Sequence, residues 1–363
     1  MTRTRIAWLP VAVLAAALLL AGAAEAARQK THKAKAKAKP HHAVTTGTRY
    51  GAREDLRTFA AEVAERRGLD RTWVVKQLAQ AQRIDAVQRL VMPPPAGTAK
   101  DWAAYRERFV EARRITAGAA FWQVNEAWLQ RAEERFGVPP EIVIGIIGVE
   151  TYFGRLTGGF RVIDALATLS FDFPAGRKDR SEFFRSELEE FLVLCQREGI
   201  DPQQTKGSFA GAIGIPQFMP GSINRHAVDF DGDGHIDLAG SNADAIGSVA
   251  HYLAESGWQR GLPTHYAVAV PVDSRDRAAL LAPDIVPSFS AAQFTERGAV
   301  LDEAGRKHDG LLALVELQNG ERAPSYVAGT QNFYAVTRYN WSSYYALAVI
   351  ELGQAVAAKR LAR

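Results

Sequence analysis

Residues 138–174, VPPEIVIGIIGVETYFGRLTGGFRVIDALATLSFDFP, constrain the fold more than any other stretch of this chain. Pro139 and Pro140 suit the first turn of a helix, where no backbone N–H is needed, and Ile142, Ile146, Ile147 and Val149 follow at helical spacing. The spacing predicts a short buried helix. Glu150 falls at its C-terminal end, with Tyr152, Phe153 and the turn glycines Gly154, Gly158 and Gly159 just beyond. A carboxylate there is poorly solvated, and desolvation raises its pKa towards the range a general acid needs near neutral pH. These residues alone equally allow a structural glutamate paired with a neighbour such as Arg155.

Two later segments carry further chemistry. Residues 206–222, KGSFAGAIGIPQFMPGS, set Ser208, Gln217, Phe218 and Met219 in a glycine-rich backbone that permits close approach to a polar polymer; a plain turn between helices reads the same way. Residues 229–237, DFDGDGHID, place oxygen ligands at alternate positions with glycine at the sixth, the EF-hand pattern for Ca²⁺. The twelfth position, where a bidentate Glu is expected, holds Gly240, and the next acid is Asp244. A single such loop reads as a structural clip rather than a sensor.

The remaining chain is read as helical on both sides of a small β unit. Leu56/Phe59/Val63 and Trp73/Val74/Leu78 predict a helical hairpin, closed off by Pro93-Pro94-Pro95. Residues 102–136 predict two longer helices, and residues 182–195 an amphipathic one that buries Cys195, the only cysteine. Residues 262–330 bring short β-branched runs at 265–272, 299–301, 311–317 and 326–327, with Asn319-Gly320 as a hairpin turn. The C-terminal segment is rich in aromatics, among them Tyr334, Tyr339, Trp341, Tyr344 and Tyr345, with Asn340 among them; it suits a wall for sugar rings or plain domain packing.

Charge narrows the partners. Residues 1–42 carry eight Lys or Arg against Glu25, a surplus larger than the +4 of the whole chain. The rest is therefore mildly acidic, which argues against a nucleic-acid partner. Arg3 and Arg5 before the apolar run from Ile6 to Ala24, then Ala24-Glu25-Ala26, read as an export signal over residues 1–26, with an uncleaved membrane anchor as the alternative. THKAKAKAKPHH reads as a flexible tether within residues 27–50.

GIIGVETYFG, DALATLSFDFP, KGSFAGAIGIPQFMPGS, AVDFDGDGHIDL and YNWSSYYALAV together resemble the membrane-bound lytic murein transglycosylase B family, from about residue 50 to the C-terminus. The resemblance implies a mainly α (α+β) protein. It would have a helical domain (51–135), a lysozyme-like core with the EF-hand-like loop (136–261), a small inserted β domain (262–330) and a closing C-terminal segment (331–363). It implies cleavage of peptidoglycan glycan strands between N-acetylmuramic acid (MurNAc) and N-acetylglucosamine (GlcNAc), with 1,6-anhydro ends and Glu150 as the single acid/base. A hydrolytic muramidase and a non-catalytic wall-binding protein are the alternatives. Ser208, Gln217, Phe218 and Met219 match the family's groove residues, and Arg180, Tyr252, Tyr339, Asn340 and Tyr345 are further contacts. Asp229, Asp231, Asp233, His235 through its carbonyl, and Asp244 match its Ca²⁺ site. The chain departs from the family at AGRKDR, where Asp179 stands beside Arg180 in place of paired arginines, and in having no cysteine for a lipid anchor. A monomer in the periplasm is expected, tethered to the membrane if the N-terminal segment is retained.

Overall fold

The structure is a computed structural model and describes residues 47–51, 53–93 and 99–362. The expected export signal, most of the tether, and Pro94 and Pro95 lie outside the described residues. In chain order the helices before the first strand are α1 (Glu54–Arg67), α2 (Arg71–Ala79), α3 (Asp85–Leu90), α4 (Trp102–Glu107), α5 (Ala112–Val124), α6 (Glu126–Phe136) and α7 (Pro140–Thr151). There follow β1 (Phe160–Arg161), α8 (Val162–Phe171), α9 (Ser181–Glu198), β2 (Lys206–Gly207), α10 (Pro220–His226) and α11 (Asn242–Glu255). The rest is β3 (His265–Ala269), α12 (Ser274–Leu281), α13 (Ala291–Glu296), β4 (Val300–Leu301), α14 (Glu303–Arg306), β5 (Ala313–Asn319), β6 (Arg322–Gly329), α15 (Gln331–Tyr339) and α16 (Ser343–Leu361). Among the described residues no helix is long and apolar enough to cross a membrane.

The described residues divide into two compact units, one comprising residues 99–153 and 246–362, the other residues 47–51, 53–93 and 154–245. The first is built on α7. Pro140 opens it, and every residue from Ile142 to Val149 is buried, so the helix is apolar all round and must sit inside. It packs against α16 with backbones nearly touching. A Cβ on Gly145 would lie 2.1 Å from the Val349 carbonyl oxygen, and one on Gly353 2.0 Å from that of Glu141, so only glycine fits at either contact. The region expected as two helices over 102–136 holds three, because Glu111 caps α5 with its carboxylate and the chain breaks again at Asn125.

The β unit is a four-stranded antiparallel sheet in the order β4-β3-β6-β5, with β5 and β6 joined by a turn at Gly320 and Glu321, one residue beyond the expected Asn319-Gly320 because Asn319 still pairs with Arg322. β6 is longer than expected. Three short helices not expected from the apolar pattern lie between the strands. Each is started by a local cap: Asp273 for α12, a Ser290–Gln293 capping box for α13 and Asp302 for α14. Leu280 and Phe294 from these helices join Leu301, Leu312, Leu314 and Ala328 of the sheet in one apolar core.

In the second unit α8 and α9 pack together, with α3 against α8 and α10 against α9. The hairpin α1–α2 is present as expected. Cys195 is buried in α9, which pushes its thiol well above the ordinary range, so it is a packing residue. The glycine-rich stretch 206–222 is a tightly bonded loop: β2 pairs with β1, and isolated bridges join Gly207 to Ile213 and Ile213 to Phe218 before Pro220 opens α10.

Candidate active site

Glu150 is the penultimate residue of α7, in the last turn, where helix-end carbonyls and burial both disfavour a carboxylate. Its side chain is half-buried, and among the described residues no Lys or Arg pairs with it. Burial pushes its pKa up to about 7; the one opposing influence is the Tyr345 hydroxyl, which donates to Oε1 at 2.7 Å. Glu150 is therefore poised to hold or give up a proton near neutrality.

Tyrosines surround it. Ser342 caps α16 and accepts the Tyr345 N–H, which fixes Tyr345 three residues in. Tyr339, the last residue of α15, stacks on the Tyr345 ring with centroids 6.3 Å apart and planes at 14°. Tyr252 of α11 meets Tyr339 edge-on at 5.0 Å and donates to the Arg338 carbonyl at 2.6 Å. Burial, then the Glu150 charge, raises the pKa of Tyr339 and Tyr345 well above the ordinary value, so both stay neutral. Asn340, the residue after α15, is buried. Tyr105 of α4 packs against Phe109 and Tyr344, and burial, then the Glu150 charge, raises its pKa.

In the second unit, Ser208, Gln217, Phe218 and Met219 share the 206–222 loop and are all largely buried. Ser208 Oγ accepts from the Ala210 and Ala212 N–H groups, which closes the loop on itself. Gln217 has φ of 54°, a strained conformation for a non-glycine residue. Its Nε2 donates to the Gly214 and Thr157 carbonyls, while its buried Oε1 has no partner. Arg180 stands at the N-cap of α9 with its guanidinium over Phe183 at 4.5 Å; burial, then Arg177, lowers its pKa.

The same unit holds the acidic loop. Carboxylate oxygens of Asp229, Asp231 and Asp244 lie within 4.8 Å of one another. Asp229 is held ionised by the N–H groups of Gly232, Asp233 and Gly234, and Gly232 and Gly234 take positive φ as the turn requires. Asp244 is buried at the start of α11 and accepts from the Phe230 and Asp237 N–H groups. Burial and then the Asp231 charge raise its pKa. Asp233 lies outside this carboxylate group and accepts from the His235 N–H. Ser241, absent from the expected set, donates to Asp231 at 2.7 Å. Three hard oxygen donors converging, with no ion pair to a cationic side chain among the described residues, fit a divalent cation such as Ca²⁺.

The Transglycosylase SLT domain family matches residues 51–354. The chain belongs to this family. A curated member, membrane-bound lytic murein transglycosylase B of Escherichia coli strain K12, is 39% identical over 330 residues, 88% of each chain. The Escherichia coli lytic transglycosylase Slt35 has a similar structure: its complex with bulgecin A gives a TM-score of 0.77 at 40% identity, covering 90% of this chain and all of that one. Its complex with calcium gives 0.75 at 39%, with the same coverage. SltB3 of Pseudomonas aeruginosa, solved with NAG-anhNAM-pentapeptide, gives 0.71 at 29% identity, covering 84% of this chain and 79% of that one. This chain is thus a transglycosylase-domain enzyme of the lytic murein family, with the mainly helical fold of its relatives.

Proposed function

We propose that this enzyme cleaves the β-1,4 bond between MurNAc and GlcNAc in peptidoglycan, using Glu150 alone as acid and then base. The observation that carries the reading is a carboxyl group whose pKa burial pushes up to about 7, half-buried among tyrosines, which no second carboxylate among the described residues perturbs. Ordinary glycosidases need a pair of carboxylates flanking the bond. Neutral Glu150 gives its proton to the glycosidic oxygen as the C1–O bond breaks, and the positive charge develops at C1. The resulting carboxylate takes the proton of the muramoyl C6 hydroxyl as O6 bonds to C1. Proton and electron pair are returned, no water is consumed, and the product ends in a 1,6-anhydro sugar. The binding of such an anhydro product by SltB3 supports this.

The unpartnered Gln217 Oε1 and the aromatic residues near Glu150 suit glycan hydroxyls and ring faces. In this reading Arg180, Ser208, Gln217, Phe218, Met219, Tyr252, Tyr339, Asn340 and Tyr345 contact or shape the sugar site. Ca²⁺ would be held by Asp229, Asp231 and Asp244 with Asp233 and the His235 carbonyl, and would neutralise and stiffen that loop. The setting proposed is the periplasm. Mass spectrometry of fragments released from purified peptidoglycan tests the reaction: anhydromuramic ends are expected. Reducing muramic ends would make it a hydrolase, and no fragments a binding protein.

A further inference from the structure

The residues that end the Glu150 helix are strained. Tyr152 and Phe153 have φ of 52° and 60°, two successive non-glycine residues in the left-handed region. Such a pair persists only where its surroundings hold it. The turn is a helix cap in which Tyr152 N–H donates to the Gly148 carbonyl and Phe153 N–H to that of Ile147, with tyrosine where glycine is the common choice.

One face of α5 holds this turn. Arg114, Gly118 and Phe121 succeed one another at helical spacing. Phe121 packs on Phe153 with ring centroids 5.5 Å apart, and the Phe153 ring fills the space a Cβ on Gly118 would take, 2.7 Å away. Arg114 Nη1 donates to the Gly148 carbonyl at 2.6 Å, while its guanidinium lies 4.9 Å from the Tyr152 ring centre and 5.3 Å from that of Phe109. The arrangement costs something: Arg114 Nε is buried with no acceptor, and burial depresses the guanidinium pKa. An apolar side chain of the same length would fill the space without that cost, so stability alone does not account for a cation here.

We propose that Arg114 is a positioning residue for Glu150: by gripping the Gly148 carbonyl and the Tyr152 ring together, it sets the last turn of α7 and so the aim of the carboxyl group. The contacts of the Arg114 guanidinium are with the Gly148 carbonyl and the Tyr152 and Phe109 rings, so it acts on Glu150 through the turn. The inference rests on the reading of Glu150 as the acid.

Tyr152→Gly separates aim from stability, because glycine adopts the left-handed cap without strain. Its melting temperature is expected at or above that of the wild type, while kcat on soluble glycan strands falls about tenfold with KM unchanged. Arg114→Met is expected to lower kcat by a similar factor per folded molecule. The double variant should be no slower than the slower single one, since both remove one grip. Wild-type kcat in both single variants, losses that multiply in the double, or a raised KM at constant kcat would each overturn the proposal. Glu150→Gln assayed alongside separates the two failures: an active Glu150→Gln removes the parent reading, whereas an inactive one beside an active Arg114→Met removes only this inference.

Discussion

Carboxylates in two parts of this chain are prepared for opposite states. Asp229 lies in a loop whose backbone N–H groups converge on it, and three of them hold it ionised although it is near two other acids. Glu150 receives one hydroxyl, sits in the last turn of a buried helix, and is held protonated until about pH 7. The difference is the number of donors set against the desolvation. An ionised cluster collects a cation; a lone, poorly solvated carboxyl trades a proton.

The sharpest break of that contrast is Glu150→Gln. Turnover should fall by about three orders of magnitude or more, as expected when the only acid/base is removed. Stability should move the other way. Because the folded pKa lies above the unfolded one, the folded state binds more protons between about pH 4.5 and 7, and stability is lost as pH rises through that window. By pH 8 the penalty approaches about 3 kcal/mol, which Gln removes. Denaturant unfolding from pH 4 to 8 should show a steeper loss of stability in the wild type than in the variant, the difference being the Glu150 contribution. A common slope in both would mean that Glu150 is as well solvated as Asp229.

Why one half of this contrast was easier to read in the sequence follows from range. The acidic loop is local: ligand spacing and the turn glycines lie within a few residues, although Gly240 at the twelfth position breaks the pattern, so that Asp244 entered the expected set through the family resemblance rather than through spacing. The buried helix was legible because it is apolar on every side, and its end located Glu150. Its partner Tyr345 lies 195 residues away, and nothing local announces such a bond. Likewise Tyr152 and Gln217 adopt conformations usual for glycine, so their strain has no sequence mark, and Arg114 reads as one more cation on an amphipathic helix. The capped helices of the β unit were too short for periodicity to reveal, though their Asp and Ser caps were in view.

For the acidic loop, Ca²⁺ in place of chelator should raise the melting temperature. At a hundredfold excess over its dissociation constant a bound ion adds about 2.7 kcal/mol. Asp229→Asn should erase that gain, because it removes a ligand charge at the centre of the loop while sparing Glu150. A calcium response that survives Asp229→Asn would place the ion elsewhere. Calorimetric titration of the two proteins decides the matter.

The smallest effect expected is that of Tyr345→Phe, and it tests the contrast most finely because it takes away the one side-chain donor that Glu150 has among the described residues. The hydroxyl favours the charged carboxylate, so its loss raises the Glu150 pKa further. The essential form is the protonated acid, and activity falls as pH rises through that pKa; the alkaline limb of kcat/KM should therefore shift upward. One hydrogen bond to a charged group corresponds to about one pH unit. Phe fills the same buried space, so packing on Tyr339 is kept. A downward shift would mean that the hydroxyl excludes water from Glu150 more than it stabilises its charge, and Glu150 would then owe its neutrality to Tyr345 rather than to the helix it ends.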